Sequence, residues 1–355
     1  MVKFSIYTGG YTAFIVSYLF DTQTSALTYV DTIPTTSNPS WLSPHLTNPN
    51  IFYAVNEVDV GALQSYAISP AGGLTLLDSV ASGGNGPAFC VPLSTGQVAI
   101  MNYGSGDGEI VPTVKGGTKF DNSTSVLLTF PPPAGGVSHP HMAVEHGKEI
   151  LVPDLGADKV WRIGQTGAPG EFGIHGFIQQ PLGSGPRHMR ILDNFMYVLH
   201  ETANLLTKQA IASYPNGTSP FLASVNIVPT DVPSNSTYAA AELLLPPPSL
   251  SCPHSYLYAS NRQIAGTLDP RGDSIGIYDT DLNLVKQVFT GLGQIRGMEF
   301  GLGPVGEEYL VALGAVSGGM VVYKRTAGGA DLVEVARNSS AIARTSLIMR
   351  SVGGY

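Results

Sequence analysis

The chain has 355 residues, of which only 12% are charged, and its 42 glycines and 26 prolines mark it as rich in turns. A net charge of -8 with no Lys/Arg-rich run excludes a basic surface for nucleic acid. The longest apolar stretch, YLVALGAVSGGMVVY at 309–323, is broken by glycine and falls short of the ~20 residues that a membrane helix needs.

Taken in chain order, FSIYTGGY at the start reads as a strand, because Gly9 and Gly10 arrive before any apolar run of signal-peptide length. The expected compartment is therefore the cytoplasm. A turn that usually ends in proline then precedes an apolar strand at NPSWL (38–42), GPAFC (86–90), HPHMA (139–143) and GPRHM (185–189), with weaker counterparts in YAAAEL at 238 and QIRGMEF at 294. A second strand with a polar exit follows each: IFYAVNEV, VAIMNYG, ILVPDLG, MYVLHET, LYASNR and LVALGA. Most units continue with an alternating strand such as GALQSYAISP or SIGIYDT and an outer strand such as GLTLLDSV. Units start about every 50 residues, the period of a four-stranded blade. Six internal units and one split unit, completed by TSLIMRS near the end, predict an all-β, seven-bladed propeller of antiparallel blades. It is expected to form a single domain over 1–355, with a proline-rich insertion at 216–253 that decorates one face or closes over a substrate.

Superposing the units defines two sets of positions. After the proline stand Ser40, Ala88, His141 and Arg187, with Ala240 and Arg296 in the weaker units. At the exit of the second strand stand Asn56-Glu57, Asn102-Tyr103, Asp154-Leu155, His200-Glu201, Asn261-Arg262 and Gly314-Ala315, with Gly9-Gly10 completing the ring. If the inner strands line a channel, His141, Arg187, Glu201, Arg262, Arg296, Glu57 and Tyr103 face one cavity.

HPHM followed by VPDLGADKVW, GPRHM, YVLHE and YASNR resembles the seven-bladed propeller lactonases, a family that includes bacterial-type 6-phosphogluconolactonases and the fungal 3-carboxy-cis,cis-muconate lactonizing enzyme. The resemblance spans essentially the whole chain and is most specific from 138 to 262. For the fungal cyclase it implies an active site of one histidine, two arginines and one glutamate, which fall here on His141, Arg187, Arg262 and Glu201. His139 and His188 depart from that pattern and are grouped with Arg296, Glu57 and Tyr103 as substrate-binding candidates.

The residue types agree with this chemistry. Arg187 and Arg262 carry planar forks that match a carboxylate or phosphate, so they suit a small anionic lactone or muconate. Glu201 and His141 form an acid and base pair, and the sequence leaves open which is which. Lactone hydrolysis is the leading expectation, muconate cycloisomerisation the second, and a non-catalytic scaffold the third. The resemblance implies no required metal or cofactor. His139 and His141 do form an H-x-H that can put two rings on one face of a strand, but no third ligand accompanies them. There is no G-x-S-x-G elbow, and GSGDGE at 104–109 lacks the lysine of a phosphate loop. Cys90 and Cys252 are too far apart in sequence to suggest a disulfide framework. Four sequons begin at Asn122, Asn216, Asn235 and Asn338.

Overall fold

The computed structural model describes residues 2–168 and 170–352. Met1, Pro169 and the last three residues of the expected 1–355 span lie outside the described residues. The strands form seven antiparallel sheets in the predicted order. Blade 1 holds Lys3–Gly9, Phe14–Asp21 and Ala26–Pro34, and its innermost strand is Ser346–Ser351 from the other end of the chain. Blade 2 comprises Leu42–Pro44, Ile51–Asn56, Ala62–Ile68 and Leu74–Ala81. Blade 3 comprises Pro87–Pro92, Gln97–Asn102 and Asp107–Val114, and here the outer position is shared by two short strands, Lys119–Phe120 and Val126–Thr129. Blade 4 comprises Val144–His146, Glu149–Asp154, Lys159–Gln165 and Phe172–Gln179, and blade 5 Pro186–Leu192, Phe195–His200, Leu205–Ala210 and Phe221–Asn226. Blade 6 comprises Thr237–Leu244, Leu257–Ala265, Ser274–Tyr278 and Leu284–Phe289, and blade 7 Gly293–Phe300, Tyr309–Ser317, Met320–Thr326 and Asp331–Asn338. Among the described residues, no helix is long and apolar enough to cross a membrane.

Each second strand is buried on both faces, which explains why its sequence is a continuous apolar run. In Ile51–Asn56, Phe52 and Ala54 pack into the gap towards blade 1, while Tyr53 and Val55 pack into the gap towards blade 3. The period-2 alternation of a strand therefore serves two interfaces. Every gap between neighbours is filled by such a cluster, including Phe4, Val16, Val311 and Val322 between blades 7 and 1. The outer strand Ala26–Pro34 is largely exposed, as its mixed composition requires.

The stretch 216–253 differs from the expected insertion. It contains the outer strand Phe221–Asn226 of blade 5 and the inner strand Thr237–Leu244 of blade 6, so only 216–220, 227–236 and the proline-rich residues beyond 244 lie outside strands. The prolines obscured the blade pattern because they crowd the connections on either side of these strands.

Closure rests on the pairing of Lys3–Gly9 with Ser346–Ser351, in register from Phe4 against Ser351 to Gly9 against Ser346. Leu347, Ile348 and Met349 are buried there. Deleting 346–355 should cost about 5 kcal/mol or more from these three side chains alone. The full chain and the truncation are compared by denaturant midpoint, and equal midpoints would place closure elsewhere.

Candidate active site

The strand exits carry two functions in alternation. In blades 2 to 6 the first residue of the pair is buried and hydrogen-bonds to its own blade or to the segment that leads into it. Asn56 Nδ2 donates to Ser37 O at 2.7 Å, and Asn102 Nδ2 donates to Ser82 O at 2.7 Å. Asp154 accepts from His139 N, Ala157 N and Trp161 Nε1 at 2.7–2.9 Å. His200 bridges Ser184 Oγ and Thr207 Oγ1, and Asn261 Nδ2 donates to Ser274 Oγ. The second residues, Glu57, Tyr103, Glu201 and Arg262, are those whose charges and rings meet at the axis.

The inner strands contribute through bulges at matching places. In blade 5, Pro186 opposes His200 and His188 opposes Leu199, which leaves Arg187 as the extra residue. In blade 7, Ile295 and Gly297 oppose the consecutive residues Gly314 and Leu313, so Arg296 is extra. In blade 6, Ala240 and Leu243 oppose Asn261 and Ala259, so Ala241 and Glu242 face the single residue Ser260. A bulge bends its strand and re-aims the extra side chain. The residue that answers Arg187 in blade 6 is therefore Ala241 rather than Ala240. That slip is why Glu242, visible in YAAAEL, did not emerge from the repeat register.

At the axis, Arg187 Nη1 donates to Glu201 Oε2 at 2.5 Å, and Arg262 Nη2 lies 2.8 Å from Glu201 Oε1. Arg187 Nε also donates to Ala241 O at 2.9 Å, and Arg262 Nη2 donates to Ala240 O at 3.1 Å. Burial by itself would raise the Glu201 carboxyl, but the two guanidinium charges and their hydrogen bonds outweigh it and hold Glu201 below the ordinary glutamate value. Burial lowers Arg262 to about 10, with repulsion from Arg187 adding to the effect and Glu201 opposing it. Among the described residues, Arg262 Nε is a buried donor without a hydrogen-bond partner.

A second pair lies alongside: Arg296 Nη2 is 3.7 Å from Glu57 Oε2. Tyr11 OH donates to Glu57 Oε1 at 3.1 Å, and the Arg296 guanidinium stands 5.3 Å from the Tyr11 ring centre. Tyr11 follows directly after Gly9-Gly10, and it escaped the sequence reading because that pair was aligned as the strand exit itself.

The histidines separate. His139 stacks on Tyr103 with ring centres 4.4 Å apart, and its Nδ1 meets Tyr103 O at 2.7 Å. His141 is buried and its Nδ1 lies 3.2 Å from His188 Nε2. Burial lowers His141 well below the ordinary histidine value, and the charges of Arg187, His188 and Arg296 push the same way. Both rings of the H-x-H contact Tyr103, His139 stacked on it and His141 edge-on at 5.6 Å, and among the described residues no three His, Cys, Asp or Glu side chains gather as a metal set. His188, expected among the substrate-binding residues, is fully buried between the His141 ring and Glu242.

Residues 4–347 match the family model described as Lactonase, 7-bladed beta-propeller. The chain belongs to that family. It is 26% identical over 348 residues to the 6-phosphogluconolactonase of Bacillus subtilis (strain 168), covering 92% of each chain. Among solved structures, a protein from Lactobacillus plantarum aligns with a TM-score of 0.80 at 19% identity over 98% of this chain and 99% of the other. The periplasmic gluconolactonase of Pseudomonas aeruginosa aligns with a TM-score of 0.77 at 20% identity over 99% of each. These structural likenesses concern the lactonase fold and leave the site to be argued from its own geometry.

Replacing Glu201 by glutamine removes the one carboxylate shared by two buried guanidinium groups. Stability should fall by about 3 kcal/mol, the cost of leaving buried charge uncompensated. Urea unfolding checks this, and an unchanged midpoint would mean that the arginines find other partners.

Proposed function

We propose that this protein hydrolyses a small anionic lactone, of the phosphosugar type named in its Bacillus subtilis relative, 6-phosphogluconolactonase. The observation that carries the reading is a buried histidine of depressed basicity beside Arg187, which shares the Glu201 carboxylate with Arg262. His141, neutral at pH 7, is the general base: it takes a proton from water as the water oxygen attacks the ring carbonyl. Guanidinium N–H groups of Arg187 and Arg262 face the charge that develops on the carbonyl oxygen, and the resulting imidazolium returns its proton to the departing ring oxygen. Glu201 orients the forks rather than moving protons, because the arginines hold it ionised. Three guanidinium groups against the carboxylates of Glu201 and Glu57 leave one net positive charge for an anionic substrate. Arg296 and Glu57 bound the substrate space, with Tyr103 and His139 as a stacked aromatic wall.

Hydrolysis is favoured over muconate cycloisomerisation on the same grounds. Cyclisation needs an acid to protonate carbon, whereas Glu201 is held ionised and His141 is held neutral. Burying two arginines around one carboxylate is also a costly arrangement for a pure scaffold. The cytoplasm is the proposed compartment, a reading supported by Cys90 and Cys252 remaining free thiols.

Turnover against phosphorylated lactones, neutral lactones and carboxymuconates tests the proposal. Preference for an anionic lactone is expected, and turnover of muconate alone would reverse the assignment. The pH profile follows from the sign of the His141 shift. A base whose folded pKa lies below 6.5 stays deprotonated through neutral pH, so kcat/KM should be flat there and fall only as pH drops through that depressed value. An acid limb above pH 6.5 would remove His141 from this role.

Arg187→Lys keeps the charge and loses the fork, while Arg187→Met loses both. Both should lower kcat/KM, the methionine variant by roughly 2 kcal/mol or more in transition-state stabilisation. A methionine variant with native kcat/KM would place Arg187 outside the site.

A further inference from the structure

Behind His141 lies a buried line of polar groups that the hydrolytic scheme does not use. His188 Nε2 is 3.2 Å from His141 Nδ1, and His188 Nδ1 is 2.7 Å from Glu242 Oε1. Both His188 and Glu242 are almost wholly inaccessible to solvent. Glu242 arrives by the two-residue bulge of blade 6, with its backbone N–H donating to Ser260 Oγ at 3.0 Å. Trp41 and Phe89 pack edge-on against the His188 ring, so apolar walls flank the line.

The hydrogen-bond directions can be worked out from one end. Glu242 Oε1 already accepts from Leu243 N at 3.1 Å, so it is an acceptor, and His188 Nδ1 must be the donor facing it. Burial keeps the His188 ring neutral, lowering it below the ordinary histidine value although Glu242 opposes this. A neutral ring protonated at Nδ1 presents a lone pair at Nε2. His141 Nδ1 must then carry the proton between the two rings, which leaves the lone pair of His141 on Nε2.

We propose that Glu242 and His188 are positioning residues that fix His141 in its Nδ1–H tautomer and receive its charge during turnover. The inference rests on the hydrolytic reading of His141. When His141 Nε2 takes a proton from water, the cation formed there would sit beside Arg187 and Arg296. Passing the Nδ1 proton to His188 Nε2 leaves His141 neutral and His188 as the imidazolium, next to the Glu242 carboxylate. One proton enters at Nε2 and one leaves at Nδ1, so the balance is kept, and the positive charge moves from beside two cations to beside an anion. The reverse transfer supplies the proton that the leaving ring oxygen needs. The other groups facing this line are Tyr103 and His139 on the cavity side and Arg190 and Glu299 beyond Glu242, where Arg190 Nη2 is 4.0 Å from Glu242 Oε1.

The test has a spectroscopic arm and a kinetic arm. Long-range proton–nitrogen correlation spectra of the wild-type chain labelled with 15N-histidine, with His141→Gln and His188→Gln used only for assignment, should show both rings protonated at Nδ1 at neutral pH. Glu242→Gln keeps the shape and removes the charge, so kcat should fall roughly 100-fold, the scale of a lost acid–base contribution, with KM held because the arginines are untouched. The acid limb of its pH profile should also move lower, since the pair loses its stabilising anion. A His141 ring protonated at Nε2, or a Glu242→Gln enzyme with native kcat, overturns the relay. If the wild type turns over no lactone, the hydrolytic proposal fails separately, and the tautomer spectrum still decides whether the relay exists.

Discussion

The antiparallel pairing of the first strand with the last closes a ring, and most other features of this molecule presuppose that closure. A blade whose middle strands are buried on both faces cannot stand alone, because each face needs a neighbour. Seven such blades supply one another's partners only if the seventh meets the first. Phe4, Val16 and Tyr18 of blade 1 then pack against Val311, Leu313 and Val322 of blade 7. The strand from the chain's end further links blade 1 to blade 2, since Ser346 Oγ accepts from Leu42 N and Thr345 Oγ1 donates to Ser40 O.

Closure also fixes the distances at the axis. Tyr11, Glu57, Tyr103, His141, Arg187, Glu201, Arg262 and Arg296 come from all seven blades, so no local stretch of chain could set their spacing. The cost of gathering charge there is met by pairing: each buried guanidinium shares a carboxylate or a backbone carbonyl, and each strand-exit amide or carboxylate beside them is tied to its blade or to the segment leading into it. Arg262 Nε, Glu57 Oε2 and Glu242 Oε2 remain buried without hydrogen-bond partners among the described residues.

The blades were legible in the sequence because a blade is a local object. The turn, the doubly buried strand and the exposed outer strand each leave a pattern within about 50 residues. His141, Arg187, Glu201 and Arg262 were legible because the repeat register carries equivalent positions round the ring. Glu242 was not, since a bulge shifts the register by one residue and two neighbouring alanines gave no sign of it. His188 was visible but its partners were not: the structure sets it between His141 and Glu242, residues 47 and 54 positions away in the chain.

By itself, then, the sequence determined the fold class, the number of blades, the split closure and the residue types available for chemistry, since all of these follow from short-range periodicity and composition. The tertiary structure decided which of those residues touch. Only there does Glu201 prove to be clamped by Arg187 from its own blade and Arg262 from the next, and only there does His141 back onto His188 and Glu242. The physical reason is that a proton or an ion pair responds to distances of about 3 Å. In a closed ring those distances are set jointly by all the blades and their bulges.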